Sequence, residues 1–146
     1  DRRERKGIMR DCIFCKIAAG EIGSQTIYED DAFRAILDIG PASRGHVLIL
    51  PKEHAEDFFA LPEETAAAAM KLASKLAKAM RAALHFDGLN VLQNNGEAAG
   101  QTVKHYHLHL IPRYEGDAVT VAWPQGSPSA EELKQTATLI KGALEE

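Results

Sequence analysis

Short apolar runs separated by Gly, Pro and Asp, together with one long stretch of helical periodicity, organise most of the chain. Runs rich in Val, Ile and Leu that end at turn-forming residues are typical of strands, whereas apolar residues repeated every three or four positions are typical of helices. Strands in hairpin order around one long helix predict an α+β fold with a mainly antiparallel sheet. The predicted elements are a helical turn at 11–19, strands at 26–29, 32–38, 45–50, 89–93 and 103–111, one long helix, and a final helix at 129–144.

The long helix is predicted between two residues with strong backbone preferences. Pro62 suits the first helical position, where its missing N–H leaves no bond unmade, and Gly88 can end a helix in the left-handed conformation. Between them apolar residues recur at helical spacing, from Met70 through Leu76 to Leu84, while Lys and Arg fill the other side. This stripe predicts a helix that packs on the core or on a second subunit.

The length of 146 residues favours one domain with a single core. Five of the first ten residues are Arg or Lys, and we expect residues 1–10 to be a flexible tail ahead of a single domain at 11–146. The tail carries a net charge of +3 and the remainder −7, so the body is acidic. Grooves for nucleic acid usually need a basic face, so nucleic acid is not an expected partner.

Cysteine usage and apolar run lengths indicate the compartment. The longest apolar runs are far below the roughly 18 to 20 residues that a bilayer span needs, so we expect no membrane helix. The basic tail lacks the apolar segment of a signal peptide, which favours a reducing cytoplasm. The two cysteines, Cys12 and Cys15, have the spacing of a zinc site. A redox dithiol and two unmodified buried thiols are the alternatives.

The most unusual pattern is His-Tyr-His-Leu-His at 105–109. Alternate side chains of a strand share one face, so His105, His107 and His109 are expected to point into one space at intervals of roughly 6.7 Å, with Tyr106 and Leu108 packed behind. Half of the chain's six histidines lie on this face, which favours a functional interpretation. They are either metal ligands or a nucleophile with a proton donor and an orienting residue.

The loop at 94–102, just before the histidines, offers side-chain amides, a hydroxyl and flexible glycines. Such groups suit hydrogen bonding to phosphate oxygens. Asn-Gly sequences are also common in turns without a binding role. The prediction that the loop binds phosphate therefore depends on the histidines that follow it.

Several motifs occur together in one order: Cys-Ile-Phe-Cys at 12–15, Leu-Asp-Ile at 37–39, Gly-His-Val-Leu-Ile-Leu-Pro-Lys at 45–52, the loop at 94–102, and three histidines alternating with apolar residues at 105–111. Over residues 12–113 they resemble the histidine triad family. The resemblance implies a five-stranded, mainly antiparallel sheet with one long helix and a C-terminal helix, in a homodimer whose sheets join into ten strands. It also implies an enzyme similar to purine nucleoside phosphoramidases and bacterial nucleotide hydrolases.

The resemblance assigns catalytic roles to three histidines. His107 is expected to attack the α-phosphorus of a nucleoside phosphoramidate or dinucleoside polyphosphate and form a covalent nucleotidyl-histidine, because neutral imidazole is nucleophilic near pH 7. His109 is expected to contact the phosphate and help to protonate the leaving group, and His46 to support the site from behind. A nucleotide-binding or regulatory module without catalysis, using the same pocket, is the alternative.

The resemblance also implies contacts to a purine nucleotide. Asp38 would accept the ribose hydroxyls, and Thr102 stands where many relatives have Ser, which keeps the hydroxyl. The expected nucleotide contacts, besides His107 and His109, are Asp38, Ile39, Asn94, Gly100, Gln101 and Thr102.

In cysteine-bearing bacterial members of the family, zinc is held by positions that correspond here to Cys12, Cys15, His54 and His105. Four protein ligands leave no open position for substrate, so a structural zinc is expected. A catalytic metal held by the three triad histidines is the weaker alternative.

Overall fold

The computed structural model describes residues 11–145, and the tail expected at 1–10 lies outside this range. A 3-10 turn at Glu97–Ala99 interrupts the loop before the last strand. The principal elements in chain order are α1 (Ile13–Ala18), β1 (Thr26–Glu29), β2 (Phe33–Leu37), β3 (Val47–Pro51), α2 (Glu63–Leu84), β4 (Gly88–Leu92), β5 (Leu108–Arg113) and α3 (Ala130–Leu144).

The five strands form one sheet in the order β1-β2-β3-β5-β4, and each neighbouring pair is antiparallel. The predicted α+β class and five-stranded sheet are therefore confirmed. Strand β3 is buried along its whole length, as its continuous apolar sequence predicts. No helix among residues 11–145 combines the length and the apolar character needed to cross a bilayer.

Both faces of the sheet are covered, because alternate residues of β3 pack on different helices. Val47 and Ile49 join the core beneath α2, whereas Leu48 and Leu50 join a smaller cluster beneath α1. The short helix α1 therefore packs on β2 and β3, and β3 pairs with the strand that carries His109. This packing places the two cysteines of α1 on the histidine side of the sheet.

Helix α2 ends earlier than the sequence predicts. His85 adopts the left-handed conformation (φ 53°), and its N–H donates to the carbonyl of Arg81 at 2.9 Å. Gly88 instead begins β4. The buried face of α2 is also rotated from the predicted stripe, so that Met70 is 54% exposed. The buried residues are Ala69, Leu72, Ala73, Leu76 and Met80.

The last strand also begins later than predicted, at Leu108 instead of 103. The N–H of Tyr106 donates to the carbonyl of Ala55 at 2.7 Å, so this part of the chain bonds to a loop and not to the sheet. Pro112 lies within β5 because the pairing with β3 ends at Leu110 and only β4 continues alongside. Two of the three triad histidines, His105 and His107, therefore precede the strand.

The C-terminal helix α3 begins where predicted. The hydroxyl of Ser129 accepts the N–H of Glu132 at 3.1 Å, which caps the helix. Every described residue of α3 is exposed, including Leu133, Ile140 and Leu144.

Candidate active site and metal cluster

Cys12, Cys15, His54 and His105 come together in one cluster, as the resemblance implies. The Nδ1 atom of His105 lies 3.3 Å from the Cys12 Sγ and 3.4 Å from the Cys15 Sγ. The Nδ1 atom of His54 lies 3.3 Å from both the Cys15 Sγ and the His105 Nδ1. Helix α1 supplies both thiols, because Cys12 is its N-cap and Cys15 lies in its first turn.

The donor set fits a tetrahedral zinc ion. With Zn–S near 2.3 Å and Zn–N near 2.0 to 2.1 Å, tetrahedral ligand atoms are separated by about 3.3 to 3.8 Å, which the observed separations match. The Nε2 of His105 lies 2.8 Å from the Pro51 carbonyl, so its proton sits there and Nδ1 keeps the lone pair for a metal. Burial lowers the pKa of His105 to about 4, which keeps the imidazole neutral and able to bind a metal.

The three triad histidines do not face one space, which corrects the expectation from strand geometry. His105 points into the metal cluster, whereas the rings of His107 and His109 lie together with centroids 4.9 Å apart. The reason is the late start of β5: only His109 has strand geometry. A catalytic metal held by all three histidines is therefore incompatible with the arrangement.

The tautomer of His107 is set by the main chain. Its Nδ1–H donates to the carbonyl of His105 at 2.7 Å, which leaves the lone pair on Nε2. Burial lowers the pKa of His107, so the ring is neutral near pH 7. The residue is 5% exposed, so its ring is more enclosed than expected for a side chain in an open hollow, whereas the neighbouring His109 is half-buried.

A second chain of hydrogen bonds fixes His46 and His109. The N–H of Ala42 donates to the Nδ1 of His46 at 3.0 Å, so the proton of neutral His46 lies on Nε2. That proton faces the Nδ1 of His109 at 2.9 Å. The proton of neutral His109 must then lie on its own Nε2. Burial and the neighbouring imidazoles lower the pKa of His109 to about 4, in agreement with this neutral state.

Asp38 lies beside this chain, with its Oδ2 3.7 Å from the Nε2 of His46 and its Oδ1 accepting the N–H of Gly40 at 2.8 Å. Asp38, His46 and His109 are close enough to hold a metal. A neutral His46 that bound a metal through Nε2 would carry its proton on Nδ1, where the Ala42 N–H already points. The trio is therefore better suited to hydrogen bonding than to metal binding.

Gln101 shapes the loop before the histidines. Its Oε1 accepts the N–H of Gly96 at 2.7 Å, and its amide donates to the carbonyls of Glu56 and Val103 at 2.7 and 3.0 Å. Both amide protons are therefore used within the protein. Gly100 has φ 92°, a left-handed conformation that favours glycine and fixes the bend of the loop.

The remaining expected nucleotide contacts lie on the surface. Ile39 is 98% exposed next to Asp38. Thr102 lines a surface cavity together with Cys12 and His54. The amide of Asn94 lies 3.5 Å from the Gly100 carbonyl, at the limit of a hydrogen bond.

Sequence reasoning missed the groups that orient the imidazoles. Phe14 packs edge-to-face on His107, with ring centroids 4.9 Å apart, and its place inside the Cys-x-x-Cys motif was the available signal. The Ala42 N–H and the carbonyls of Pro51 and His105 are main-chain groups, which leave no mark in the amino-acid pattern.

Comparison with known proteins identifies the class. The HIT domain model matches residues 19–116, and the chain belongs to the histidine triad (HIT) family. Over 135 residues it is 45% identical to the adenosine 5'-monophosphoramidase HNT1 of Saccharomyces cerevisiae, covering 92% of this chain and 83% of that protein.

Solved structures agree with this assignment. SMU.412c from Streptococcus mutans UA159 is 42% identical with a TM-score of 0.91, covering 94% of this chain and 88% of that chain. A Zn-bound histidine triad family protein from Mycobacterium smegmatis is 38% identical with a TM-score of 0.72, covering 91% of this chain and 97% of that chain.

Proposed function

We propose that this protein cleaves nucleoside phosphoramidates or dinucleoside polyphosphates at the α-phosphate through a nucleotidyl intermediate on His107. The main support for the proposal is the hydrogen bond from His107 Nδ1–H to the His105 carbonyl, which leaves a neutral, nucleophilic Nε2. The yeast relative's name, adenosine 5'-monophosphoramidase, supports this reaction class. The substrate is a purine nucleotide in this proposal.

The reaction consists of two displacements. The Nε2 lone pair of His107 forms a bond to the α-phosphorus, and the bond from phosphorus to the leaving group breaks with its electron pair on the leaving atom, which takes up a proton from solvent. Water then forms a bond to phosphorus and releases a proton, which replaces the one taken up by the leaving group. The P–Nε2 bond breaks with its electron pair on Nε2, and the nucleotide and free imidazole are released. A histidine serves as nucleophile here because its neutral form is favoured by burial.

In this geometry His109 acts as a hydrogen-bond donor. The bond from His46 keeps the Nδ1 of His109 an acceptor, so its single proton stays on Nε2. A fixed N–H donor stabilises charge that develops on a phosphate or leaving atom without reorganising during the reaction. We therefore assign His109 to charge stabilisation, with His46 as the residue that sets its proton.

Four residues at or near the surface offer groups that suit a nucleoside. Asp38 offers its Oδ2 to a ribose hydroxyl, and the adjacent Ile39 offers an exposed apolar surface to the base. Asn94 and Thr102 have polar side chains at the surface for further contacts.

The test is a panel of adenosine and guanosine phosphoramidates and dinucleoside polyphosphates, run on the wild type and on His107→Ala. The proposal expects turnover by the wild type, none by the variant, and nucleotide binding by both. Normal turnover by His107→Ala contradicts it. Binding of AMP by the wild type without turnover of any compound favours the non-catalytic nucleotide-binding module.

We also propose that the metal of the cluster is zinc, held by Cys12, Cys15, His54 and His105. The two thiols and two imidazoles support zinc, and the four ligands support a structural ion that ties α1 to the segment before β5. Elemental analysis of protein purified without added metal or chelator should find one zinc per chain. Cys12→Ser should lose the zinc and lower the unfolding midpoint in urea. Zinc-free wild type with unchanged stability in the variant contradicts the proposal.

The homodimer implied by the family resemblance is supported by an edge strand. Strand β4 is at the edge of the sheet, and its sequence Gly-Leu-Asn-Val-Leu has none of the Lys or Pro residues that usually protect an edge. Val91 on this strand is 47% exposed. Light scattering should give twice the chain mass for the wild type, and Val91→Lys should shift it towards the monomer. A monomeric wild type contradicts the dimer.

A further inference from the structure

Phe14 connects the metal cluster to His107. It lies between Cys12 and Cys15, and its ring centroid is 4.9 Å from that of His107 and 6.1 Å from that of His105. The ring planes are nearly perpendicular in both pairs, at 81° and 83°. Edge-to-face contacts of this kind are attractive and directional. One aromatic ring therefore touches a candidate metal ligand and the candidate nucleophile together.

Three contacts orient the His107 ring. Its Nδ1 bonds to the His105 carbonyl, and the rings of Phe14 and His109 pack against it. The hydrogen bond alone allows the ring to swing about the Nδ1···O direction. The rings of Phe14 and His109 limit that swing, so the direction of the Nε2 lone pair depends in part on where Phe14 lies.

The position of Phe14 depends in turn on the metal cluster. Helix α1 has six residues, too few to be stable alone. It is held at its start by Cys12 and Cys15 in the metal cluster, and Phe14, Ile17 and Ala18 pack on the apolar cluster beneath it. Loss of the ligand contacts leaves the first turn, which carries Phe14, held by apolar packing alone.

We propose that Phe14 is a positioning residue that transmits the state of the Cys12–Cys15 cluster to His107. This inference rests on the proposed function, in which His107 is the nucleophile. An occupied cluster fixes α1, the ring of Phe14 then confines His107, and the Nε2 lone pair points at the substrate phosphorus.

The test compares Phe14→Leu with Phe14→Tyr, and uses Ile17→Ala as a matched control. Ile17 also lies on α1 and packs on the same apolar cluster, so the control removes apolar contact from the helix. The measurements are zinc content, the single-turnover rate of nucleotidyl transfer to His107, KM, and the solvent-exchange rate of the His107 Nδ1 proton by NMR. The NMR measurement requires no turnover.

Phe14→Leu should keep its zinc and its KM but lose about 10- to 100-fold in transfer rate, since a misplacement of about 1 Å can cost about 100-fold. Its Nδ1 proton should exchange faster. Phe14→Tyr keeps the aromatic ring and should have the transfer rate and proton-exchange rate of the wild type. Ile17→Ala should also leave these two rates at the wild-type level. Removal of the metal by a chelator should slow nucleotidyl transfer in the wild type by a similar factor. In Phe14→Leu it should slow the transfer little further.

A transfer rate and proton exchange in Phe14→Leu equal to the wild type overturn the inference. So does a rise in KM alone, because Phe14 would then act only on substrate binding. If the wild type forms no nucleotidyl-His107, the proposed function fails. If it forms one at the same rate in wild type and Phe14→Leu, the positioning role alone fails.

Discussion

Two substitutions of His46 can separate the effects of its two hydrogen bonds, the one it accepts from the Ala42 N–H and the one it donates to His109. The amide nitrogen of Gln reaches the place of an imidazole Nε2, and the amide oxygen of Asn reaches the place of Nδ1. His46→Gln therefore keeps the donor to His109 and loses the acceptor for Ala42. His46→Asn keeps the acceptor for Ala42 and loses the donor to His109.

The two variants should differ in rate far more than in stability. Each loses one hydrogen bond, at 3.0 or 2.9 Å, with a net value of about 1 kcal/mol, and Asn also leaves space in a buried site. Only His46→Asn allows the proton of His109 to move from Nε2 to Nδ1. Loss of one preorganised donor to developing charge costs about 100- to 1000-fold in kcat. We expect about a 100-fold loss for Asn and less than about 10-fold for Gln.

The assay is kcat on adenosine phosphoramidate at a temperature where urea denaturation shows both variants to be folded. Nitrogen chemical shifts of His109 should report a proton on Nε2 in the wild type and in His46→Gln, but on Nδ1 in part of the His46→Asn molecules. Equal losses in the two variants, or a faster His46→Asn, would refute the reasoning.

Two further predictions concern stability. Gly45→Ala should cost about 2 to 4 kcal/mol in unfolding free energy, because residue 45 has φ 88° and a Cβ there collides with Leu84. Gly116 has φ 80° and open space around it. Gly116→Ala should therefore cost only the backbone strain, about 1 to 2 kcal/mol. Equal costs for the two glycines would contradict the collision. Acidification from pH 7 to pH 5.5 should lower stability by about 1 kcal/mol through His109, because the unfolded chain takes up a proton near pH 6.5 whereas the folded pKa is about 4. This stability is complete above pH 6.5 and declines towards pH 4, and a urea midpoint that stays constant or rises on acidification would contradict it.

The sequence predicts most of the fold because two periodicities dominate it. The continuous apolar run of β3 and the helical repeat of α2 are long enough to determine the element type, and the sheet follows from their order. Element ends were less predictable. His85 ends α2 before Gly88, and a main-chain bond from Tyr106 to Ala55 delays the start of β5.

The candidate site was likewise predictable in part: its residues could be predicted, but the geometry of the histidines could not. The sequence resemblance selected the four members of the metal cluster, and the structure brings all four together. Strand geometry alone misplaced His105 because it assumed that the strand already ran through that residue. The tautomers of His46 and His107 depend on the N–H of Ala42 and the carbonyl of His105, which belong to the main chain and are available only from the folded arrangement.

His107 is proposed to be a covalent nucleophile, and trapping the intermediate tests this most directly. Wild type and His107→Ala are mixed with adenosine phosphoramidate, quenched in alkali within one turnover, and analysed by mass spectrometry of the intact chain and of the peptide that contains residue 107. We expect one added nucleotidyl group on His107 of the wild type, lost at a rate at least equal to kcat, and none in the variant. Turnover by the wild type without any adduct, or with an adduct on a different residue, would contradict it.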